Sequence, residues 1–164
     1  MNNNLPKRTG EPRKLETGAQ RDNATGKGRC DLLPLKQVAR VMEDDVLYEL
    51  SLFMETKDDE HIVNALRKST ETIPALKDKG LAHMMLEVSL LYEAGAIAYG
   101  ENNWKRGMPL KWYIDSGIRH YNKELRGDKD EPHPHYRGFI WNMLGALWTI
   151  DNFPESLDNL YVIE

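Results

Sequence analysis

From Asp31 onward, apolar residues recur at intervals of three and four, the period of helices that turn one face to a core. Leu35, Val38, Met42, Val46, Leu50 and Phe53 predict a first helix over roughly 35–54. Asp58 is placed to cap a short second helix that holds Ile62, Ala65 and Leu66 and ends near Ser69-Thr70. Thr72-Ile73-Pro74 reads as another start. Leu81, Met84, Val88, Leu91, Gly95 and Ala98 then mark a long third stripe, weakened at Gly80 and broken by Tyr99-Gly100-Glu101-Asn102-Asn103. A fourth stripe, Leu110, Ile114, Gly117/Ile118, Tyr121 and Leu125, begins at Pro109 and stops at Gly127. The fifth follows Pro132 and Pro134 and uses Tyr136, Ile140, Met143, Leu147 and Ile150, with Phe139, Leu144 and Trp148 widening it enough to imply burial on more than one side. Strand-like alternation and internal repeats are absent. The expected fold is all-α, a bundle of four to five helices whose stripes are covered by one another or by further copies of the chain.

The length of 164 residues suits one domain, and 40% apolar with 29% charged residues is an ordinary balance for a soluble protein. No uninterrupted run approaches the ~18 apolar residues of a membrane-spanning helix, and Met1-Asn2-Asn3-Asn4 lacks the apolar core of a signal peptide. A cytosolic protein with no membrane partner is expected. The single cysteine, Cys30, allows neither an internal disulfide nor a thiolate cage, so metal chemistry would rest on carboxylates and imidazoles. Charge is uneven. Residues 1–30 carry seven basic against three acidic side chains and almost nothing apolar, whereas the other 134 residues sum to −8. That divides the chain into a flexible basic arm, 1–30, and an all-α domain, 31–164. The acidic body argues against nucleic-acid binding, which needs a basic face. The arm could bind nucleic acid weakly, close over a phosphate-bearing small ligand, or stay solvated.

Candidate chemistry gathers in residues 87–148, where ten of the fourteen aromatics, all four tryptophans and three of the five histidines fall. Trp104 lies in a polar, glycine-broken loop, where it either stacks on a base or plugs the end of the bundle. The neighbouring asparagines either read a base edge or close the turn. His120 and Glu124 are one turn apart, about 40° from one another, and can share a ligand. Residues 128–135 then hold three carboxylates (Asp128, Asp130, Glu131) and two imidazoles (His133, His135). This composition suits a divalent ion that also binds phosphate, since hard cations take carboxylate oxygens and imidazole admits Mn²⁺; a charged surface turn would look the same. In the fifth helix, His135 and Asn142 share a face, and Gly138 and Gly145 imply close approach of a helix or a ligand.

Several blocks, in order and spacing, resemble the dATP/dGTP diphosphohydrolase amino-terminal domain family, helical phage and bacterial proteins related to MazG-type nucleotide pyrophosphohydrolases. They are Thr-Gly-Lys-Gly-Arg-Cys-Asp-Leu-Leu-Pro at 25–34, Tyr-Glu-Ala-Gly-Ala-Ile-Ala-Tyr-Gly-Glu-Asn-Asn-Trp-Lys-Arg-Gly-Met at 92–108, Asp115-Ser116-Gly117-Ile118-Arg119-His120, Gly127-Asp128-Lys129-Asp130-Glu131 and Trp141-Asn142-Met143-Leu144. About half the chain is covered, and residues 43–86 read as a helical insertion. The resemblance implies hydrolysis of a purine deoxynucleoside triphosphate, with Mg²⁺ or Mn²⁺, to the monophosphate and pyrophosphate. It also implies a homo-oligomer, a dimer or tetramer. On that basis Glu93, Asp130 and Glu131 are expected metal ligands, with Asp128 and His135 behind them. Glu131 is also expected in catalysis, as is His120, which would act as base or outer-shell partner. Arg119, Lys105 and Lys123 would hold phosphate, and Asn103, Trp104 and Asn142 would bind the nucleotide.

The chain departs from the family pattern in places. The Glu-x-x-Glu pair of MazG-type enzymes is absent: Glu87 and Glu93 are six apart and point about 120° away from each other, which leaves Glu87 to solvent. Ile97-Ala98 stands where many relatives have two lysines. Counting forward from Asp130-Glu131 selects His133 as the family histidine, counting back from Trp141-Asn142 selects His135, and the helix position favours His135. The competing function is a non-catalytic oligomeric scaffold or phage accessory protein whose basic arm binds DNA.

Overall fold

The computed structural model describes residues 11–21 and 25–160. Within them, six helices form the body: α1 (Leu35–Met42), α2 (Asp45–Thr56), α3 (Glu60–Thr72), α4 (Gly80–Tyr99), α5 (Leu110–Arg126) and α6 (His135–Asn152). Ahead of them, β1 (Arg13–Lys14) pairs antiparallel with β2 (Gln20–Arg21). The all-α expectation holds, with one helix more than the four to five expected.

The extra helix comes from dividing the segment read as one helix over 35–54. Glu43 adopts a left-handed conformation (φ 52°), which ends α1, and the Asp44 carboxylate accepts the Leu47 amide at 2.8 Å to start α2. The apolar spacing from Met42 to Val46 runs on across the break and hides it. A second correction concerns α4, which starts at Gly80 and not near Thr72. Asp78 and Gly80 have φ of 64° and 77°, which no continuous helix accommodates, so Ile73–Lys79 form turns.

Residues read as an insertion are part of the common core. Leu47, Leu50, Phe53, Ile62, Ile73 and Leu76 are fully buried in one cluster with Tyr113, Ile114, Tyr121 and Phe139. The Tyr121 hydroxyl, from α5, donates to Asp44 Oδ2 at 2.6 Å and meets Thr72 Oγ1 at 3.2 Å, joining α5 to the start of α2 and the end of α3.

The most extensive contact is between α5 and α6, and glycines allow it. A Cβ at Gly145 would lie 2.4 Å from Tyr113 Cε1, one at Gly117 2.4 Å from Met143 Cε, and one at Gly138 2.7 Å from His120 Cγ. The close approach implied by Gly138 and Gly145 is therefore to the neighbouring helix. At Gly138 it is to a histidine ring.

On α4 only Met84 and Val88 are buried, while Leu81, Met85, Leu86, Leu90 and Ile97 are exposed. By length and composition α4 could cross a bilayer, but Glu87 and Glu93 interrupt its apolar surface. Glu87, expected to face solvent, instead docks α4 onto α6: it accepts from the Tyr136 hydroxyl at 2.6 Å and from Arg137 at 2.8 Å. The Tyr136 hydrogen bond and Arg137 hold its pKa below the usual carboxylate value.

Within the segment read as a flexible arm, residues 11–21 are folded onto the body. Gly18, at φ 82°, closes the turn between the strands, Ala19 is fully buried, and Leu15 packs against the core. Residues 1–10 and 22–24 of that arm lie outside the described residues.

Candidate active site

A cavity of about 770 Å³ opens between α4, the turn that follows it, α5, α6 and the β-hairpin. That is within the ~300–1,000 Å³ of sites for small organic ligands. Its wall carries the chemistry of three separate stretches: the 99–104 turn, the inward face of α5 from Asp115 to Lys123, and the Asp130–Asn142 segment.

At one end, His120, Glu131 and His135 each offer a ligand atom within 4.8 Å of the others. The α5 helix presents His120, α6 presents His135 in its first turn, and the short connection between the two helices brings Glu131 over them. His120 Nδ1 lies 3.0 Å from His135 Nδ1, and His135 Nε2 lies 2.7 Å from Asp130 Oδ1. An ionised carboxylate only accepts, so His135 donates from Nε2 to Asp130. Burial first, then the neighbouring His135, His133, Arg21 and Arg119, hold the His120 pKa well below its ordinary value, so the ring is neutral at pH 7. Two imidazoles and the Glu131 side chain form a donor set that fits a divalent cation, and the nitrogens favour Mn²⁺ over Mg²⁺.

Asp130 sits behind this group rather than in it. Its other oxygen accepts from Lys123 Nζ at 2.6 Å, and the Lys123 and His135 bonds drive its pKa far below the carboxylate range. His133 lines the cavity 3.5 Å from Glu131, but His135, 1% exposed, is the histidine in the three-residue group. Glu93 lines the cavity from the exposed side of α4 and is outside that group. Asp128 is turned to Arg126 and does not line the cavity. Glu124, paired with His120 in the sequence reading, instead accepts the Tyr136 amide at 3.0 Å and caps α6.

Of the expected phosphate ligands, Arg119 and Lys123 line the cavity, each with an acid: Arg119 with Asp115, Lys123 with Asp130. Asp115 also accepts the Cys30 amide at 2.6 Å. Lys105 is exposed beside its neighbour Trp104, its Nζ 5.3 Å from that ring, and lies outside the cavity. Three cations that the sequence reading did not single out also line the wall: Arg13, Arg21 and Lys27.

The polar groups expected to bind the nucleotide are largely committed to the protein. Asn103 Oδ1 accepts the Gln20 amide and Asn103 Nδ2 donates to the Gln20 carbonyl, both at 3.0 Å. Asn142 accepts from Arg21 and donates to the Gly138 carbonyl at 2.6 Å. Trp104 meets Tyr92 and Trp148 edge-on, at centroid distances of 5.5 and 5.2 Å, and so closes the end of the bundle while one side lines the cavity. Tyr92, Tyr99 and Trp141 add aromatic surface to the same wall.

No curated protein and no solved structure is significantly similar to the chain. The family described as dATP/dGTP diphosphohydrolase, N-terminal, matches residues 55–159, a span that takes in α3 to α6 and every member of the histidine-carboxylate group. The matched span includes 55–86 of the segment read as an insertion, and it begins after the 25–34 block. With more than half its length matched, the chain belongs to the dATP/dGTP diphosphohydrolase N-terminal family.

Proposed function

We propose that the protein hydrolyses dATP and dGTP to the monophosphate and pyrophosphate, in the cytosol, using Mg²⁺ or Mn²⁺. The observation that carries this reading is the meeting, in one cavity, of the His120–Glu131–His135 group, a set of cations and a wall of aromatic rings. The family description supports a diphosphohydrolase.

His120, Glu131 and His135 would hold the cation, which when bound supplies charge neutralisation at the triphosphate. The neutral, weakly basic His120 is suited to donating a lone pair, which leaves Glu131 as the group that orients the attacking water and receives its proton. The water oxygen bonds to the α-phosphorus, the bond from that phosphorus to the α,β-bridging oxygen breaks, and pyrophosphate leaves with the electron pair. Arg119 and Lys123 counter the charge of the phosphates. Tyr92 and Tyr99 offer π faces to the purine.

The full chain, incubated with Mn²⁺ or Mg²⁺ and a panel of dGTP, dATP, dCTP and dUTP, is expected to release pyrophosphate and monophosphate from the purine nucleotides, resolved by chromatography. If all four stay uncut with either metal, the hydrolase reading fails and the scaffold function stands in its place.

The exposed apolar face of α4 is the surface through which copies of this chain would associate, since Leu86, Leu90 and Ile97 lie at helical spacing on it and are 71, 46 and 70% exposed. Light scattering on the purified protein is expected to return a dimer or tetramer, and Leu86→Glu together with Ile97→Glu to return the monomer mass. A monomer before substitution removes the proposal.

A further inference from the structure

The β-hairpin carries an arginine that the protein does not fully satisfy. Arg13 and Arg21 are direct cross-strand partners, and the Arg13 guanidinium lies over the Trp112 ring at 3.8 Å. The Arg21 guanidinium sits between aromatic rings, 5.3 Å from the Tyr113 centroid and 5.5 Å from that of Trp141, and its Nη2 donates to Asn142. Its Nη1 is closed off from solvent and has no hydrogen-bond partner. Burial lowers its pKa to about 10, so it stays charged at neutral pH. Asp115, whose charge reaches Arg21, is already taken by Arg119 and the Cys30 amide. Arg119 Nε is likewise buried without a partner. Two guanidinium groups that line one cavity therefore each carry a buried N–H donor without an acceptor.

The strand is held to present this group. Both ends of the Asn103 amide bond the Gln20 backbone, and Arg106 donates to the Gly18 carbonyl at 3.1 Å. Along α6, the Asn142 that fixes Arg21 is seven residues from His135, about 10 Å at the helical rise, which is a span an extended triphosphate can bridge.

We propose that Arg21 is the anion anchor of the cavity: from the hairpin it binds the terminal phosphates of an oligophosphate, with Arg119 beside it, while the reacting phosphate lies at the His120–Glu131–His135 end. The inference deepens the triphosphate reading and rests on it for the identity of the ligand. It also makes Asn103 a positioning residue for Arg21 rather than a reader of the base.

Inorganic triphosphate is the probe, titrated into the full chain without metal and with Mg²⁺, with binding read by calorimetry and by the rise in unfolding temperature. Arg21→Gln is expected to weaken triphosphate at least ~10-fold and to remove the thermal protection, and Arg21→Lys to restore part of both, since lysine keeps the charge and loses the fork. If Arg21→Gln binds and is protected like the parent, or the parent binds no triphosphate, the anchor is wrong. Should the glutamine variant not fold, Arg21→Lys carries the test: an affinity equal to the parent's overturns the proposal, and an affinity at least ~3-fold weaker, at an unchanged ligand-free unfolding temperature, supports it. The two readings fail separately. Triphosphate binding that depends on Arg21 without cleavage of any deoxynucleotide removes the hydrolase and keeps the anchor, whereas dGTP cleavage at unchanged KM in Arg21→Gln removes the anchor and keeps the hydrolase.

Discussion

Glu131→Gln is expected to lower metal-dependent pyrophosphate release from dGTP and dATP by at least ~100-fold, while the helical circular dichroism and the unfolding midpoint stay those of the parent. The substitution keeps the size of the side chain and removes the negative charge together with the ability to take a proton. It does so at a residue that belongs to the three-member ligand group and has little structural work, its contact with His133 being long at 3.5 Å. Glu131 lies in the connection between Gly127 and Pro134, outside both helices, so α5 and α6 do not depend on it for packing. Two effects combine in the loss: weaker cation binding and a water without a base. Titrating Mn²⁺ separates them, because excess metal rescues the first and not the second. Release within a few-fold of the parent at every metal concentration would remove Glu131 from the chemistry.

A comparable loss is expected from a methyl group placed where no charge changes. Gly138→Ala puts a Cβ 2.7 to 2.8 Å from three atoms of the His120 ring, Cγ, Cδ2 and Nδ1. That ring is flat, half-buried and tied to His135 at 3.0 Å, so it has no flexible end to give way. Relief requires the ring to swing off His135 or α5 to move from α6, at a cost of ~1–3 kcal/mol in stability by analogy with overpacked cores. Denaturant unfolding should report this as an earlier midpoint, and Mn²⁺ affinity should fall with it because one of the three ligand groups has been displaced. Gly117→Ala provides the comparison: its clash is with Met143 Cε, the mobile tip of a side chain, and the chemistry should survive it. An alanine at 138 with parental midpoint and turnover would show that the His120–His135 contact is dispensable.

How much of this was legible in the sequence depends on how far apart the partners lie. The α5 and α6 helices were readable because Pro109, Gly127 and Pro134 punctuate them and their stripes are regular. Glu131 and His135 were readable as neighbours because a short connection joins two packed helices, whereas His120 was read as a base or outer-shell partner and Glu93 and Asp130 were placed in the ligand group ahead of His135. The break at Glu43 was not readable, because its left-handed residue preserved the four-residue apolar spacing on either side. The family resemblance placed Asn103 and Asn142 against the nucleotide, while the residues alone left the asparagines beside Trp104 either reading a base edge or closing the turn. The partners of Asn103 and Asn142, Gln20 and Arg21, are 83 and 121 residues away on strands two residues long, and such strands leave no periodic trace. Glu87 had the same difficulty, since its partners Tyr136 and Arg137 are on another helix, 49 and 50 residues on.

The hairpin also fixes the order in which the protein can be completed. Strand β2 leaves the ribosome well before its seat on Asn142, 121 residues further on, and the loop that this contact closes is correspondingly long. Closing so long a loop costs chain entropy before any contact is gained, and nearby helices pair sooner. The helices therefore assemble around a cavity whose charge is still incomplete, and a nascent chain that has not yet released its α6 region holds Arg21 with nowhere to dock.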